Sequence, residues 1–419
     1  MLDIKFIREN ADLVRQGCRD KQMETKIVDQ VLDADKKFRL LKTQVDDLRA
    51  EANANAEAIK TSVGQGHPPT PELVEKGKQI KTELKQLEPQ LQEVEAELNK
   101  LMLYVPNPPA TDVPVGKDET GNVEIRQVGD VPKFDFQPKS HQELMTKLGW
   151  LDTERAVRIG GFRAYFLQGE AVLWEQALMR LALDMLIAEG FTPMTAPVLV
   201  NESTMWGTGY FPWGSEDHYK TQDDQFLAGT AEVALTAYKA GETLTEKELP
   251  MKLCGISPCF RREIGSHGKD TQGIIRVHQF TKVEQMIYTV ADETVSRQWH
   301  EKMLGLSEKL LQALELPYHV LLMCSGDMGA GQRKKYDVET WFPAQNKYRE
   351  THSASYFNDF QSRRLNIRYR ASDGTLKYVY TLNNTMAASP RLLAAIVENY
   401  QREDGGVRVP EALKKYLEL

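Results

Sequence analysis

The chain has little cysteine, no excess of positive charge and no long apolar run. Only four cysteines occur in 419 residues, and none forms a CxxC pair or has a histidine spacing typical of zinc sites. We therefore expect small buried thiols in a reducing compartment, the cytoplasm. The net charge is −7, so the bulk charge does not indicate nucleic-acid binding, and any such contact must depend on local patches.

Membrane signals and nucleotide-loop signatures are also missing. The most apolar helical run, residues 177–188, is interrupted by Arg180 and Asp184 and cannot span a bilayer. The N-terminal residues lack a basic stretch leading into an apolar core, so we expect no signal peptide and no membrane partner. Gly326 and Gly331 have the spacing of a P-loop, but glutamine and arginine follow where that loop needs lysine and a hydroxyl residue.

The chain does contain a long helical segment with a seven-residue repeat, within residues 26–104. The apolar residues of its first half recur at spacings of three, four or seven: Phe38, Leu41, Val45, Leu48, Ala52 and Ile59. Those of its second half lie seven apart in two series: Leu73, Ile80, Leu87, Val94, Leu101, and Gly77, Leu84, Leu91, Leu98. Turn-forming residues at 64–71 separate the halves, so the pattern predicts an antiparallel coiled-coil hairpin with arms of about 50 Å.

Two residues of this hairpin depart from an ideal coiled coil. Asn55 falls on the apolar seam, where it can fix the register, and Pro89 should kink the second helix or remove a hydrogen bond at roughly 3 kcal/mol. Taken alone, such a hairpin is typical of a dimerisation or spacer element. The second helix also carries a run of lysines: Lys76, Lys78, Lys81 and Lys85. This run is either a solvated face or a contact for phosphate groups.

The remaining sequence predicts an α+β architecture. We divide the chain into an arm at 1–104, a proline- and glycine-rich linker at 105–135, and a mixed domain at 136–419. Long strands that follow one another favour an antiparallel sheet flanked by helices. Helices are predicted at 140–149, 168–189, 230–239, 292–315 and 390–402. Strands are predicted at 193–200, 251–262, 274–290, 318–325, 335–342, 363–370 and 377–382.

Two of these strands carry charged and aromatic side chains at alternating positions. Arg261 and Glu263 are two apart and would share one strand face, and Phe280 and Glu284 would share another. The alternatives are a solvated surface strand and a ligand site. In a ligand site, the Arg261 fork would hold a phosphate oxygen, Phe280 would offer a flat surface to a purine, and Glu284 would take a hydroxyl or ammonium group.

Predicted helix starts and a carboxylate next to hydroxyl residues add further candidates. Arg391 follows Pro390 at the start of an apolar helix, where it is either exposed or able to reach a base and a terminal phosphate. Glu232 lies in another first turn, where it either complements the helix dipole or contributes to a site. Glu350 and the hydroxyl groups within 351–353 provide the oxygen ligands that magnesium prefers.

Taken together, these segments resemble the class II aminoacyl-tRNA synthetases. Phe-Arg-Arg-Glu at 260–263 and the strand at 277–284 resemble motif 2 of that class. The helical arm, Thr-Ala-Glu at 230–232, and the segments 359–366 and 398–405 are similar to the seryl-tRNA synthetases within it. The resemblance covers essentially the whole chain.

The resemblance implies a role for individual residues. Serine binding is implied for Thr230, Ala231, Glu232, Arg261, Glu284, Asn383 and Thr385. ATP binding is implied for Arg261, Arg262, Glu263, Val277, Phe280, Glu350, Thr351, His352, Ser353 and Arg391. The implied catalytic residues are Arg261, Glu263 and Arg391, and the implied Mg²⁺ contacts are Glu350 and Ser353.

The same resemblance implies a homodimer that activates L-serine with ATP and charges both tRNA(Ser) and tRNA(Sec). The helical arm would hold these tRNAs. The chain departs from the family pattern in two places. It has Glu-Thr-His-Ser at 350–353 where Glu-Ile-Ser-Ser is usual, and Asn-Asn-Thr-Met at 383–386 where Asn-Gly-Ser-Gly is usual.

Other classes of function remain open from the sequence. A synthetase-like paralogue could bind serine or an adenylate as a sensor without charging tRNA, and the two departures are compatible with it. A coiled-coil scaffold protein would not explain the stretches that resemble motif 2. An amino acid:carrier-protein ligase would lack the arm and would contain a metal site, and neither expectation fits this sequence.

Overall fold

The chain folds into two compact units. A computed structural model describes residues 1–264 and 273–417. One unit comprises Met1–Arg19 and Met23–Pro106, and the other comprises Asp20–Gln22 and Asn107–Leu419. Among the described residues, every helix is either too short or too polar to cross a bilayer.

The first unit is helical, and its apolar residues explain the hairpin. Its helices are α1 (Ile4–Glu9), α2 (Ala11–Asp20), α3 (Lys26–Gly64) and α4 (Pro71–Met102). Heptad residues such as Val45, Ile80 and Leu98 are buried where α3 and α4 pack together. Thr70 caps α4, because its hydroxyl oxygen accepts from the Leu73 N–H at 3.4 Å, and Pro71 occupies the first turn. The predicted helical hairpin is thus confirmed.

The two irregular arm residues have different consequences. Helix α4 continues through Pro89 to its end, so the missing N–H weakens the helix locally without ending it. The Asn55 side chain is buried on the seam, and its Nδ2 donates to the Leu73 carbonyl at 3.0 Å. Gly77 makes room for this amide, since an added Cβ there would lie 3.1 Å from Asn55 Nδ2.

The second unit contains the sheets. Its helices are α5 (His141–Lys147), α6 (Thr153–Gly160), α7 (Glu170–Ala188), α8 (Glu202–Thr208), α9 (Glu232–Ala237), α10 (Glu293–Ala313), α11 (Phe360–Leu365), α12 (Ser389–Asn399) and α13 (Glu411–Leu417). Its strands are β1 (Val123–Val128), β2 (Leu151–Asp152), β3 (Phe166–Leu167), β4 (Thr192–Thr195), β5 (Leu199–Asn201), β6 (Gln225–Leu227), β7 (Thr243–Thr245), β8 (Met251–Phe260), β9 (Gln279–Thr289), β10 (Tyr318–Leu322), β11 (Lys334–Phe342), β12 (Lys347–Asn358), β13 (Arg368–Arg370), β14 (Leu376–Tyr378) and β15 (Tyr380–Ala388).

Within the described residues, the main sheet has eight strands in the order β1-β10-β11-β12-β15-β9-β8-β4. Strand β4 pairs with β8 in parallel, and the other neighbours are antiparallel. The predicted α+β class with an antiparallel sheet is therefore confirmed. The range 105–135, which the sequence assigned to a linker, contains the edge strand β1.

Strand β9 shows how the sheet separates its core face from its polar face. Gln285 faces α10, where its Nε2 donates to the Met303 carbonyl at 3.3 Å, and the alternate residues Val283 and Ile287 are fully buried. Because successive strand residues point to opposite faces, Lys282 and Glu284 face away from α10. This opposite face is where the candidate site lies.

Several predicted element bounds were wrong. The predicted strand at 193–200 is divided between β4 and β5, and the predicted strand at 363–370 begins as helix α11. The predicted strand at 274–290 begins only at Gln279. The longest strand, β12, was not predicted at all, because its polar residues and a bulge hide the alternation that marks a strand.

Candidate active site

The site begins with a row of side chains on β9. Register with β8 pairs Phe280 with Cys259, Lys282 with Ser257, and Glu284 with Gly255. Residues two apart on a strand share a face, so Phe280, Lys282 and Glu284 form one row, as the alternation predicted.

Arg261 extends this row beyond the end of β8. Its backbone N–H donates to the His278 carbonyl at 3.0 Å, and its carbonyl lies 2.8 Å from His278 Nδ1. Its guanidinium carbon lies 5.4 Å from the centre of the Phe280 ring, and its Nε donates to the Gly229 carbonyl at 3.3 Å. The arginine and the aromatic ring therefore form one surface, with the cation above the ring.

A cleft opens over this surface. The sequence-predicted residues that line it are Arg261, Glu263, Val277, Phe280, Glu350, Thr351, His352, Thr385 and Arg391. The lining residues that the sequence did not assign are Ile275, Arg276, Lys282, Ala388 and Pro390. Residues far apart in the sequence thus meet around one cavity.

Glu263 reaches the cleft by a different route from the one expected. Strand β8 ends at Phe260, and Glu263 has a positive φ of 56°. The expectation that Arg261 and Glu263 share a strand face was therefore wrong. The Glu263 carboxylate pairs with Arg276 and lies 3.8 Å from Arg163 Nη1, so neighbouring guanidinium groups fix its position.

Arg391 and Glu350 form a fixed ion pair at the opposite wall. Arg391 lies in the first turn of α12 after Pro390, and its Nη1 donates to the Glu350 carbonyl at 2.8 Å and to Glu350 Oε2 at 3.0 Å. Burial opposes ionisation of Glu350, but the charges of Arg391, Lys335 and Arg261 outweigh it and hold the pKa of this carboxyl well below its usual range. Glu350 is therefore an ionised carboxylate at neutral pH.

A β-bulge at Thr351 decides which residues accompany Glu350. Glu350 pairs with Glu339, and Ser353 pairs with Asp337, which is two residues away on β11. Because alternate residues share a face, the extra residue brings Glu350 and Ser353 to the same side of β12, although they are three apart in sequence. A carboxylate and a hydroxyl on one face fit a magnesium ion that takes its other ligands from phosphates and water.

His352 connects this bulge to a second one. Strand β15 has an irregularity between Thr385 and Ala387, at Met386. The His352 Nε2 lies 3.1 Å from the Met386 carbonyl, and its Nδ1 lies 2.9 Å from the Thr351 hydroxyl. Burial lowers the pKa of His352 to about 4. A neutral ring that donates from Nε2 and accepts at Nδ1 therefore ties the two bulged strands together.

A buried polar cluster adjoins the cleft through Lys282. Lys282 lines the cleft and pairs with Glu284, and the Thr230 hydroxyl donates to Glu284 at 3.0 Å. Glu232 accepts from the Tyr210 hydroxyl at 2.8 Å and from Gln361 Nε2 at 3.0 Å. Burial and, next, the charge of Glu284 raise the pKa of Glu232 above its usual range. The cluster thus holds two carboxylates beside one ammonium group.

The structure places the other predicted residues around this centre. Ala231 precedes α9, Asn383 is buried on β15 opposite Met286, and Thr385 pairs with Glu284. Arg262 lies outside the lining of the cleft, and its Nη1 donates to the Glu216 carbonyl at 2.9 Å.

Three residues of the cluster received no role from the sequence. Lys282 falls on the same predicted strand face as Phe280 and Glu284, and the register confirms that position. Tyr210 and Gln361 gave no local signal, since only the folded chain brings them to Glu232.

Comparison with known proteins gives two family matches. The family described as "Seryl-tRNA synthetase N-terminal domain" matches residues 1–109. The family described as "tRNA synthetase class II core domain (G, H, P, S and T)" matches residues 217–400. The second range contains every residue that lines the cleft, and all of the polar cluster except Tyr210.

Individual relatives match over their whole length. A serine–tRNA ligase from Deinococcus radiodurans is 49% identical over 418 residues, which cover 100% of this chain and 97% of the relative. The crystal structure of seryl-tRNA synthetase from Pyrococcus horikoshii complexed with ATP has a TM-score of 0.93 at 41% identity, covering 100% of this chain and 98% of that one. The crystal structure of cytoplasmic serine–tRNA ligase from Naegleria fowleri in complex with AMP has a TM-score of 0.89 at 33% identity. The match covers 100% of this chain and 97% of that one.

Proposed function

This chain belongs to the seryl-tRNA synthetase family, within the class II aminoacyl-tRNA synthetases. We propose that it activates L-serine with ATP and transfers the seryl group to the 3′ end of tRNA(Ser). One observation carries the proposal. A cleft with Arg261, Phe280 and Arg391 in its walls meets a carboxylate cluster through the shared residue Lys282. A nucleotide and a small amino acid would therefore lie side by side.

ATP would occupy the cleft. Its adenine would stack between the Phe280 ring and the Arg391 guanidinium. Val277 would lie beside the base, and Glu263 would lie at its edge. The α-phosphate would meet Arg261, and the terminal phosphate would meet Arg391. Thr351 and His352 would hold the wall at the bulge. These assignments rest on the lining of the cleft and on the family resemblance.

Glu350 and Ser353 would hold Mg²⁺ against the phosphates. When bound, the cation would neutralise part of the negative charge of the triphosphate. The face shared by the two residues supports this role. The protein itself supplies a carboxylate that is already ionised and a fixed Arg391 beside it.

L-serine would occupy the buried cluster. Glu232 and Glu284 would take its ammonium and hydroxyl groups, with Thr230, Ala231, Asn383 and Thr385 around them, and Arg261 would face its carboxylate. A site built to hydrogen-bond a hydroxyl rejects analogues that lack it, because its buried polar groups would otherwise stay unpaired. Lys282 compensates the charge of Glu284, so the two carboxylates can lie near each other before serine enters.

The first chemical step needs no protein base. The serine carboxylate is ionised near neutral pH and attacks the α-phosphorus, so that a new P–O bond forms as the bond to pyrophosphate breaks. Arg261 and Arg391 would align the chain of phosphates and offset the charge that develops on them. A terminal ribose hydroxyl of the tRNA would then attack the seryl carbonyl carbon of the adenylate, so that an ester bond forms as the bond to AMP breaks and the hydroxyl proton leaves.

The arm would bind the tRNA. Lys76, Lys78, Lys81 and Lys85 are all exposed on α4. Lys76 and Lys78 lie 3.5 and 3.8 Å from Glu51 and Glu75, surface pairs that a phosphate can replace at little cost. We extend the proposal to tRNA(Sec), because the helical arm would recognise the long variable arm of the tRNA and not its anticodon.

Homodimer formation and a cytoplasmic location complete the proposal. Exposed apolar side chains are concentrated between α6 and the start of α7, where Ile159 is 77% and Phe162 is 53% exposed. Such a concentration is typical of an interface. The four cysteines are free and buried, which suits a reducing compartment.

The decisive experiment is ATP–pyrophosphate exchange without tRNA, measured with each of the twenty amino acids. We expect exchange with serine, followed by serine-dependent charging when tRNA(Ser) is added. Serine binding without exchange would favour the sensor paralogue. Exchange with a different amino acid would contradict the assignment of the polar cluster.

A further inference from the structure

A buried histidine and a buried carboxylate lie outside the lining of the cleft and outside the polar cluster. His141 is 3% exposed and Glu398 is 0% exposed. His141 is the first residue of α5, which begins with a capping box formed by Ser140 and Glu143. Glu398 lies near the end of α12, the helix that begins beside Arg391. Both residues therefore lie at helix ends, His141 at the capped start of α5 and Glu398 near the end of α12.

The pair has a defined protonation pattern. One carboxylate oxygen of Glu398 accepts from the His141 backbone N–H at 3.0 Å and lies 2.7 Å from His141 Nδ1. Its other oxygen accepts from the Ala344 N–H at 3.1 Å. His141 Nε2 accepts from the Ile274 N–H at 3.3 Å. A nitrogen that accepts cannot carry a proton, so the ring is the neutral form with its proton on Nδ1, pointing at the carboxylate.

The chain of contacts continues into the cleft. Ile275 follows Ile274 and lines the cleft, and its carbonyl accepts from Arg391 Nε at 3.0 Å. Arg391 then reaches Glu350. The backbone of residues 274–275 is thus held on one side by His141 and holds Arg391 on the other. Helix α12 thus contacts this segment directly through Arg391, near its start, and indirectly through Glu398 and His141, near its end.

Gly273 shows how closely the ring and this backbone are matched. It has a positive φ of 67°, and an added Cβ would overlap His141 Nε2. The position therefore needs glycine for its conformation and for the close approach of the imidazole.

We propose that His141, oriented by Glu398, is a positioning residue for the nucleotide. It fixes the backbone of Ile274 and Ile275, and through the Ile275 carbonyl it fixes the direction of the Arg391 guanidinium. This inference rests on the proposed function of the cleft. It assigns to His141 an effect on ATP and none on serine, because the carboxylates of the polar cluster are held by Thr230, Tyr210 and Gln361.

Two substitutions separate the two ends of the imidazole. His141→Asn keeps a donor near Nδ1 and loses the acceptor that reaches Ile274. His141→Gln places an acceptor at about the distance of Nε2. In pyrophosphate exchange, we expect His141→Asn to raise the KM for ATP by up to roughly a hundredfold, the result if the whole cost of the unpaired Ile274 N–H falls on the ATP-bound state. The KM for serine should stay unchanged, and His141→Gln should recover part of the ATP affinity.

His300→Asn is the matched control. His300 is also fully buried, with its ring 4.9 Å from that of Tyr336, but it lies outside the cleft. Its substitution should lower Tm and leave the KM for ATP unaltered.

An unchanged KM for ATP in both His141 variants, or an equal rise in His300→Asn, would overturn the positioning role. Absence of serine-dependent exchange in the unmodified protein would contradict the proposed function instead, so the two failures are distinguishable.

Discussion

At the scale of single residues, the charges around the cleft are arranged in pairs before any ligand enters. Arg391 is held by Glu350, Lys282 by Glu284, and Glu263 by Arg276. Preorganised groups lose little conformational freedom on binding, and their charges act in a partly buried setting where they are screened less than in water. Arg261 differs from them, because it lies against the Phe280 ring and a backbone carbonyl with its guanidinium in the cleft wall.

Replacing Arg261 should therefore disable adenylate formation. Arg261→Ala is expected to lower kcat/KM for pyrophosphate exchange by about 10²- to 10³-fold, the usual cost of removing one donor to developing charge. Arg261→Lys should recover only part of this, because lysine lacks the planar fork. Arg370→Ala, which removes an exposed arginine of β13, is the control and should behave like the unmodified protein. Normal exchange by Arg261→Ala would refute the role.

Glu232 should leave a signature in the pH dependence of stability. Its pKa is raised in the folded state by burial and by Glu284, so the folded state binds its proton more tightly than the unfolded state. The associated stability is present below the unfolded pKa of about 4.3 and is lost as pH rises through the raised value. The Tm of Glu232→Gln relative to the unmodified protein should therefore increase with pH over this range.

Glu293→Gln is the control for the Glu232 experiment, because its Tm relative to the unmodified protein should change with pH in the opposite direction. Burial opposes ionisation of Glu293, but Arg333, Asn358 and Arg297 lower the pKa of this carboxyl. Its stabilising contribution is present above the unfolded pKa, so Glu293→Gln should lose Tm relative to the unmodified protein as pH rises. Parallel trends in the two variants would contradict the assignment for Glu232.

At the scale of elements, strand regularity explains what the sequence could and could not predict. The alternation on β9 placed Phe280 and Glu284 on one face, and Pro390 with an apolar run placed Arg391 at the start of α12. The residue pair Glu350 and Ser353 meets only because of a bulge, which depends on pairing with β11 and leaves no local pattern. Contacts made through the fold, such as Gln361 with Glu232, are likewise invisible in the sequence.

Pro89 is the clearest element-level test. It is exposed in the interior of α4, where it removes one backbone hydrogen bond from a helix that nevertheless continues. Pro89→Ala should stabilise the arm by up to about 3 kcal/mol. Amide hydrogen exchange in the neighbouring turns of α4 should slow accordingly. The neighbouring Gln90→Ala should have little effect, and unchanged or faster exchange in Pro89→Ala would show that tertiary packing needs the proline.

At the scale of the whole molecule, the division of labour follows the two units. The cleft, the polar cluster and the His141–Glu398 pair all belong to the second unit, whereas the long hairpin belongs to the first. We therefore expect that serine activation and tRNA binding can be separated.

Removing residues 30–100 should test this separation. The shortened protein is expected to keep serine-dependent pyrophosphate exchange, because no residue of the cleft is deleted, and to lose charging of tRNA(Ser). The unmodified protein, measured in both assays at the same concentration, is the control. Normal charging by the shortened protein would show that the arm does not bind the tRNA.

The most direct measurement is a crystal structure with a non-hydrolysable analogue of seryl-adenylate. We predict that the adenine lies on Phe280, that the phosphate mimic meets Arg261, and that the serine ammonium and hydroxyl groups lie between Glu232 and Glu284. An analogue bound outside the cleft, or a seryl group directed away from these two carboxylates, would contradict it.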